Sequence, residues 1–294
     1  MTTPAAKLRE LLDAPEFLVM PCCFDGLSAL LIERAGFPLT FMSGFAVSAA
    51  RLGQPDTGLI SYGEMLDQGR DICAATSLPV IGDADTGYGN PMNVKRTVAG
   101  YAQAGFAAVM IEDQRAPKRC GHTRGKQVVE RGEAFARIRA AVEARDEGAD
   151  VLILARTDAR ADRGLGEAIE RARGFADLGA DLLFIEAPAS EGEMERLCRE
   201  VPGHHMANLV EGGVSPLLPP ERLSAVGYKI AAYPLTLLSA ATRAMGEALA
   251  ALAKGVTPER LLAFGELQRI VGFDTYDAGL DRLAPFEGGE REEV

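Results

Sequence analysis

The chain repeats one unit, in which an amphipathic helix is followed by a glycine and then by a short apolar strand. Stretches of helical length and amphipathic pattern cover residues 93–104, 133–147 and 165–178, and a glycine follows each of them. A glycine directly after a helix adopts the left-handed cap conformation at little steric cost. The uninterrupted apolar run that comes next is typical of a strand buried on both faces, as in a parallel sheet.

Eight apolar segments fit this description, and their alternation with helices over 294 residues predicts a (β/α)8 barrel of the TIM type. A doubly wound open sheet is the alternative, but its dinucleotide-type glycine fingerprint does not follow the first strand. No linker divides the chain, so we expect one domain over residues 1–283, a barrel with C-terminal helices, and a mobile tail over 284–294. The predicted strands are 17–22, 39–43, 79–85, 107–112, 151–156, 182–186, 204–209 and 228–233.

The composition of the chain indicates which kinds of molecule it can bind. With 31 Lys and Arg against 42 Asp and Glu, the formal net charge is −11. Such an acidic chain binds nucleic acid and anionic membranes poorly. No apolar run reaches the length of a membrane helix, no signal peptide precedes the first helix, and the five cysteines form no CxxC pair. We therefore expect a cytoplasmic protein without nucleic-acid or membrane partners. An anionic substrate would require a metal ion or an arginine cluster.

Polar side chains follow the predicted strands, and in a barrel the carboxyl ends of the strands carry the chemistry. Asp83 and Asp85 follow the third strand and Glu112 follows the fourth. Alternation along a strand would put the two aspartates on one side, and oxygen-rich clusters suit a hard cation such as Mg²⁺. Helix capping and loop hydrogen bonds are the alternative roles of these acids.

Arg156 ends the fifth predicted strand, with Glu186 after the sixth and Asn208 after the seventh. A guanidinium group binds a carboxylate through two hydrogen bonds, so Arg156 is a candidate for substrate binding. A structural salt bridge to Glu186 is the alternative. Ser43 and Gly44 follow the second strand, where backbone N–H groups can bind an anion or simply form a turn.

Residues 113–129 form a long polar loop after the fourth strand, and such loops often cover binding sites. Cys120 lies in it beside Arg119, near Lys118 and His122. Cationic neighbours lower the pKa of a thiol, so Cys120 is the one cysteine in a reactive setting, although a loop cysteine without function is the alternative. His204 and His205 begin a strand and are predicted to be structural.

Taken together, these motifs resemble those of the isocitrate lyase/phosphoenolpyruvate mutase superfamily along nearly the whole chain. The resemblance implies a metal-dependent barrel, a homotetramer of dimers that swap a C-terminal helix, and a small carboxylate substrate. It also implies Mg²⁺ as the cofactor, with Mn²⁺ as a substitute. The matching segments are MSG (42–44), GDADTGYGN (82–90), IEDQ (111–114), KRCGH (118–122), ARTDA (155–159), IEAP (185–188) and ANLVEGG (207–213).

The resemblance assigns roles to individual residues. In such a protein the metal ligands, direct or through water, would be Asp83, Asp85, Asp56 and Glu112. The substrate would be bound by Ser43, Gly44, Phe45, Arg156, Glu186, Asn208 and Pro234. The catalytic residues would be Arg156 with Lys118, Cys120 and His122 of the loop, and Cys120 would be the proton donor.

The activity implied is cleavage of a 2-hydroxy di- or tricarboxylate into a 2-oxo acid such as pyruvate and a succinate- or propionate-type acid. The wording GHTxGK and NxVEGG, and Phe41 in place of a tyrosine, favour a 2-alkylmalate over 2-methylisocitrate. Cys120 argues against a phosphonate mutase, and Pro234 argues against the decarboxylase branch. The alternatives are an oxaloacetate hydrolase or decarboxylase on the same scaffold, and a catalytically silent barrel that acts as a binding module.

Overall fold

Eight parallel strands close into a barrel in the computed structural model, which describes residues 2–123 and 125–284. Each strand pairs with its neighbours in sequence, and β8 closes the barrel against β1. The predicted fold is confirmed, and the strand ends differ from the predicted ones by at most two residues. The strands are β1 Leu18–Cys23, β2 Thr40–Met42, β3 Val80–Asp83, β4 Ala108–Glu112, β5 Leu152–Thr157, β6 Leu182–Ile185, β7 His204–Asn208 and β8 Tyr228–Tyr233.

Helices alternate with the strands, and their ends follow local sequence signals. Asn90 caps the helix that Pro91 begins, as its sequence predicts. Gly105 and Gly179, each just after a helix, have φ of 98° and 94°. The helices are α1 Pro4–Asp13, α2 Gly26–Arg34, α3 Gly44–Val47, α4 Tyr62–Ala75, α5 Pro91–Ala104, α6 Arg131–Asp146, α7 Ala159–Arg163, α8 Leu165–Asp177, α9 Glu191–Glu200, α10 Pro220–Val226, α11 Thr236–Leu252, α12 Phe264–Val271 and α13 Phe273–Leu283, with a π-helical turn at Ser48–Leu52 after α3.

Alternate residues of the strands fill the barrel, and a second apolar layer packs between strands and helices. Leu8 and Leu12 of α1 join the interior cluster at the amino ends of the strands, so α1 closes that end. From the strands, and from Leu39 just before β2, the interior cluster takes Leu18, Met20, Cys22, Leu39, Phe41, Ile81, Ala108, Met110, Leu152, Leu154, Leu182, Phe184, Met206, Ile230 and Ala232.

The two-residue period of the strands also builds the site. Side chains two residues apart on a strand point to the same face, so the next inward position above the apolar interior lies at the carboxyl rim. At seven strands this position is a predicted site residue. The pairs of interior and rim residues are Phe41 and Ser43, Ile81 and Asp83, Met110 and Glu112, Leu154 and Arg156, Phe184 and Glu186, Met206 and Asn208, and Ala232 and Pro234.

The chain divides into two compact units, one ending at Ala241 and one beginning at Thr242. The first holds the barrel. The second holds most of α11 with α12 and α13, and many of its apolar side chains, Phe264 and Leu283 among them, are exposed. The single domain and the helix swap remain predictions. Apart from Ala284, the predicted tail lies outside the described residues. In the part of the chain that the structure describes, no helix is long and apolar enough to cross a membrane.

Candidate active site

Asp83 ends β3, and two backbone groups hold its carboxylate. The N–H of Gly44 donates to Oδ2 at 3.1 Å and that of Asp85 donates to Oδ1 at 3.0 Å. A Cβ at Gly44 would lie 2.5 Å from Oδ2, so glycine is required for this approach. Asp85 has a φ of 49°, outside the strand. Strand alternation was expected to put Asp85 on the same side as Asp83. That explanation is wrong, because the strand has already ended and a left-handed turn sets the position of Asp85.

The Lys118 ammonium lies among the predicted metal ligands. Its Nζ is 2.5 Å from Asp56 Oδ1 and 2.7 Å from Asp85 Oδ1, and the side chain is 5% exposed. Burial lowers the pKa of Lys118, but Asp85, then Asp83, Asp56 and Glu112, raise it well above its usual value. Burial also raises the pKa of Asp85 and Glu112 above those of ordinary carboxyl groups. One ammonium thus does not balance four carboxylates.

The acids fit a divalent metal in their chemistry. In the described parts of the chain, no three His, Cys, Asp or Glu side chains are already arranged as the ligands of one metal ion. The four acids nevertheless offer only oxygen donors, which hard cations prefer, and they carry an excess of negative charge. Among the described residues, Glu112 Oε1 is buried and has no hydrogen-bond partner. A cation at this rim would satisfy both the charge and that oxygen.

Arg156 contacts three carboxylates. Its Nε lies 2.8 Å from Asp158 Oδ2 and 3.3 Å from Glu112 Oε2, while Nη2 lies 3.1 Å from Glu186 Oε2. The guanidinium carbon is 5.1 Å from the centre of the Phe184 ring, a cation–π contact. The alternative salt bridge to Glu186 is therefore present, but Arg156 also lines the cavity described below. The acids fix the direction of the guanidinium group.

Glu186 joins two further predicted residues. His122 Nε2 lies 3.2 Å from Glu186 Oε1, and Asn208 Nδ2 donates to Glu186 Oε2 at 3.2 Å. His122 Nδ1 accepts the backbone N–H of Val214 at 3.1 Å, so a neutral imidazole carries its proton on Nε2 and donates it to Glu186. Burial raises the pKa of Glu186, but Arg156 and then His122 outweigh burial and hold that pKa below its usual value.

The loop over residues 113–129 is held by its own polar groups. The side-chain amide of Gln114 donates to the carbonyl oxygen of Arg119 at 2.8 Å and accepts its N–H at 2.9 Å. Gln114 also forms an antiparallel bridge with Val128 at the base of the loop. Buried inside, the ammonium of Lys126 donates to the carbonyl oxygen of Gly121. The described residues of the loop, 113–123 and 125–129, thus form a hairpin-like structure.

The pKa of Cys120 departs from the sequence expectation. Burial, the largest influence, raises the pKa of this thiol, and the nearby Asp56 and Glu186 raise it further, while Arg156 lowers it. The expectation that cationic neighbours lower this pKa is therefore wrong, because burial of the thiol, with Asp56 and Glu186 nearby, outweighs the lowering effect of Arg156. A thiol with a raised pKa keeps its proton at neutral pH, as a proton donor must.

One cavity gathers most of the predicted residues. The other three contact residues that line it: Gly44 contacts Asp83, Asp85 contacts Lys118, and Glu112 contacts Arg156. Gly44 donates its N–H to Asp83, so that group is already engaged. The predicted residues on the cavity wall are Ser43, Phe45, Asp56, Asp83, Lys118, Cys120, His122, Arg156, Glu186, Asn208 and Pro234.

Sequence reasoning gave no individual role to two buried residues beside Arg156. Asp158 and Lys126 form a buried ion pair next to Arg156, with Nζ 2.7 Å from Oδ1. Both lie within segments that the resemblance quotes, ARTDA and GHTxGK, so their position in a motif was the available signal. Arg119 also lines the cavity, as do the apolar side chains of Phe41, Phe184, Val210 and Leu235.

Comparisons with known proteins find similar sequences and structures over most of the chain. The sequence profile of the phosphoenolpyruvate phosphomutase family matches residues 8–253. The 2,3-dimethylmalate lyase of Eubacterium barkeri is 43% identical over 274 residues, which cover 92% of this chain and 94% of that one. The 2-methylisocitrate lyase of Bacillus subtilis is 38% identical over 240 residues, covering 82% and 78%. Oxaloacetate acetylhydrolase, solved with the inhibitor 3,3-difluorooxalacetate, superposes with a TM-score of 0.93 at 36% identity, covering 98% and 99%.

Proposed function

Because the chain belongs to the phosphoenolpyruvate mutase/isocitrate lyase superfamily, we propose that it is a metal-dependent carbon–carbon lyase acting on a 2-hydroxy dicarboxylate of the 2-alkylmalate type. One observation carries the proposal: the thiol of Cys120, the guanidinium of Arg156 and the carboxylates of Asp83 and Asp56 line one cavity. A lyase needs these three functions together, namely a proton donor, a group that binds the developing anion, and a metal site.

The residues of the chain divide the reaction between them. Asp83, with Asp56, Asp85 and Glu112, would hold the divalent cation, which when bound supplies a Lewis acid for substrate oxygens. Arg156 binds a substrate carboxylate and stabilises the negative charge that it gains. The substrate hydroxyl loses its proton to a base, and the electron pair of the C2–C3 bond passes to C3.

Cys120 completes the reaction. Its thiol donates a proton to C3 and becomes a thiolate, and the products are a 2-oxo acid such as pyruvate and a propionate- or succinate-type acid. General-acid catalysis of this kind contributes about 10²–10⁴-fold to a rate.

The lining of the cavity supports a dicarboxylate over a tricarboxylate. Lys118 already contacts two carboxylates and Arg156 three. A tricarboxylate would add a third negative group to this cavity. Phe184, Val210 and Leu235 offer apolar contacts instead, which suit the alkyl substituents of a 2-alkylmalate.

A substrate panel tests the proposal. The purified enzyme is incubated with Mg²⁺ and each of a set of 2-hydroxy and 2-oxo di- and tricarboxylates, and products are read by mass spectrometry. We expect pyruvate and propionate from 2,3-dimethylmalate, with less turnover of 2-methylisocitrate, and no turnover after chelation of the metal until Mg²⁺ is restored. Absence of cleavage of every 2-hydroxy acid would contradict the proposal.

Oxaloacetate hydrolysis is the second candidate, because the chain superposes on oxaloacetate acetylhydrolase with a TM-score of 0.93. The same panel separates the two, since a hydrolase releases acetate and oxalate from oxaloacetate and a decarboxylase releases CO2. We further propose, on the sequence arguments above, Mg²⁺ as the metal with Mn²⁺ as a substitute, a homotetramer of helix-swapped dimers, and a cytoplasmic location.

A further inference from the structure

The site combines groups from two separate segments. Cys120 and His122 belong to the loop after β4, whereas Arg156 ends β5. A proton donor and an anion-binding group act together only when their relative position is fixed, because a misplacement of about 1 Å costs roughly 10²-fold in rate. Some group must therefore connect the loop to the end of β5.

Lys126 makes one such connection, in addition to Glu186, which contacts both His122 and Arg156. Its Nζ donates to the carbonyl oxygen of Gly121, between Cys120 and His122, and lies 2.7 Å from Asp158 Oδ1. The Lys126 side chain is only 2% exposed. A buried ammonium is costly unless it is paired, so both contacts stabilise this one position of the side chain.

Asp158 passes the connection on to Arg156. Its Oδ2 accepts from Arg156 Nε at 2.8 Å, and its Oδ1 accepts from Arg156 Nη2 at 3.2 Å as well as from Lys126. The backbone N–H of Asp158 donates to Asp113 Oδ1 at 2.9 Å, which fixes the aspartate itself. The carboxylate of Asp158 therefore orients the guanidinium of Arg156 and holds the lysine of the loop at the same time.

The turn at Gly121 packs directly against the side chains of Glu186 and Arg156. A Cβ added to Gly121 would overlap Glu186 Oε2 and would lie 2.6 Å from Arg156 Nη2. The backbone of the loop thus reaches Arg156 with no space to spare. A hydrogen bond at the Gly121 carbonyl group is well placed to keep this contact in register.

We propose that Lys126 is a positioning residue, which holds the Cys120–His122 turn against Arg156 through the Gly121 carbonyl oxygen and Asp158. Lys126 does not line the cavity and takes no part in bond breaking. Its effect on catalysis is exerted through Cys120 and Arg156.

Two measurements on Lys126→Met test this role. The first is the split between kcat and KM on the substrate that the panel identifies: we expect kcat to fall about 10²-fold and KM to change little. The second is the rate at which iodoacetamide alkylates Cys120, read by peptide mass spectrometry. We expect a rise of about tenfold, because a turn that is no longer tethered opens more often. Lys126→Arg, which keeps the charge and the donors, should restore most of both values.

Lys229→Met is the matched control. Lys229 also donates to backbone carbonyl groups, those of Ala14 and Glu16, but at the amino end of the barrel. The Lys229→Met variant should have a lower melting temperature, with kcat and the alkylation rate of Cys120 unchanged. If Lys126→Met fails to fold, Asp158→Asn removes the charge of the shared carboxylate at constant shape and should raise alkylation in the same direction.

Unchanged Cys120 alkylation and kcat in Lys126→Met would overturn the inference. So would equal changes in Lys229→Met, since both lysines would then act only on stability. The alkylation measurement needs no substrate, so the inference can fail while the proposed lyase activity stands, and it can hold if the panel shows another reaction.

Discussion

The two ends of the barrel treat charged side chains in opposite ways. At the amino end, Lys7 donates to the carbonyl oxygen of Ser77 at 3.0 Å and Lys229 donates to backbone carbonyl groups, in partly exposed positions. At the carboxyl end, Arg156, Asp158 and Glu186 are buried together. The two lysines of the amino end are thus satisfied by backbone carbonyl groups in partly exposed positions, whereas the charges of the carboxyl end are buried and pair with one another.

Backbone conformation also differs between the amino and carboxyl ends of the barrel. Gly105 and Gly179 supply the left-handed residues just before strands, where glycine bears no strain. In the described part of the chain, the non-glycine residues with positive φ are Asp85, Tyr88 and Ala187, which follow the carboxyl ends of β3 and β6. Such residues cost about 1–2 kcal/mol each. The amino end is therefore built for stability, and the carboxyl end keeps strain and buried charge that the fold does not require.

Arg156→Met is expected to disturb this division most. The change leaves Asp158, Glu112 and Glu186 without their shared cation, at a cost of about 3–5 kcal/mol in the free energy of unfolding. The value of kcat/KM should fall by about 10³-fold or more, because the anion-binding group is gone. Steady-state kinetics and urea denaturation measure the two effects. Arg173→Met, at an exposed ion pair, is the control and should change each by little.

Cys120→Ala is expected to separate activity from stability. We expect kcat to fall by about 10²–10⁴-fold, while the melting temperature stays near that of the unchanged protein, because one partly buried thiol contributes little to packing. Kinetics with thermal denaturation measure both, and Cys73→Ala on α4 is the matched control. Full turnover in Cys120→Ala would refute the role of the thiol as proton donor.

The fold and most of the site were accessible from sequence, for a physical reason. A parallel barrel buries both faces of each strand, so its strands are apolar runs, and the first polar residue after a run must lie at the rim. Ser43, Glu112, Arg156 and Glu186 were found in this way. Local patterning at the strand ends is enough to identify such residues.

The charge balance of the site was not accessible in the same way. The pKa of Cys120 depends first on burial of the thiol and then on charged groups from other segments, among them Asp56 and Glu186. The position of Asp85 depends on a left-handed turn that strand alternation does not foresee. Apart from its place in the GHTxGK motif, Lys126 has no local signal for its role, because its partner Asp158 comes from a distant segment of the chain.

Leu8→Ala tests the amino end alone. Leu8 is fully buried where α1 closes the barrel, so its truncation should lower the free energy of unfolding by about 2–5 kcal/mol. We expect kcat to remain unchanged, because the site lies at the opposite rim. Leu11→Ala, on the same helix but only partly buried, should cost less. A large loss of kcat in the folded Leu8→Ala protein would show that the two ends are coupled.

His205 gives the smallest effect, a dependence of stability on pH at the amino end. His205 Nε2 contacts the carbonyl oxygen of Val201 at 2.7 Å, and burial lowers the pKa of the imidazole below its usual value. Between the unfolded pKa of about 6.5 and this lower folded pKa, the unfolded chain binds more protons, so stability is complete above the unfolded pKa and falls as pH drops. Each proton contributes a slope of about 1.4 kcal/mol per pH unit at most. Urea denaturation at several pH values should show that the unfolding free energy of His205→Gln depends less steeply on pH. The pKa of His204 is also lowered, so His204→Gln measures the contribution of that second histidine. An unchanged slope in both variants would locate the acid sensitivity among the buried carboxylates of the other rim.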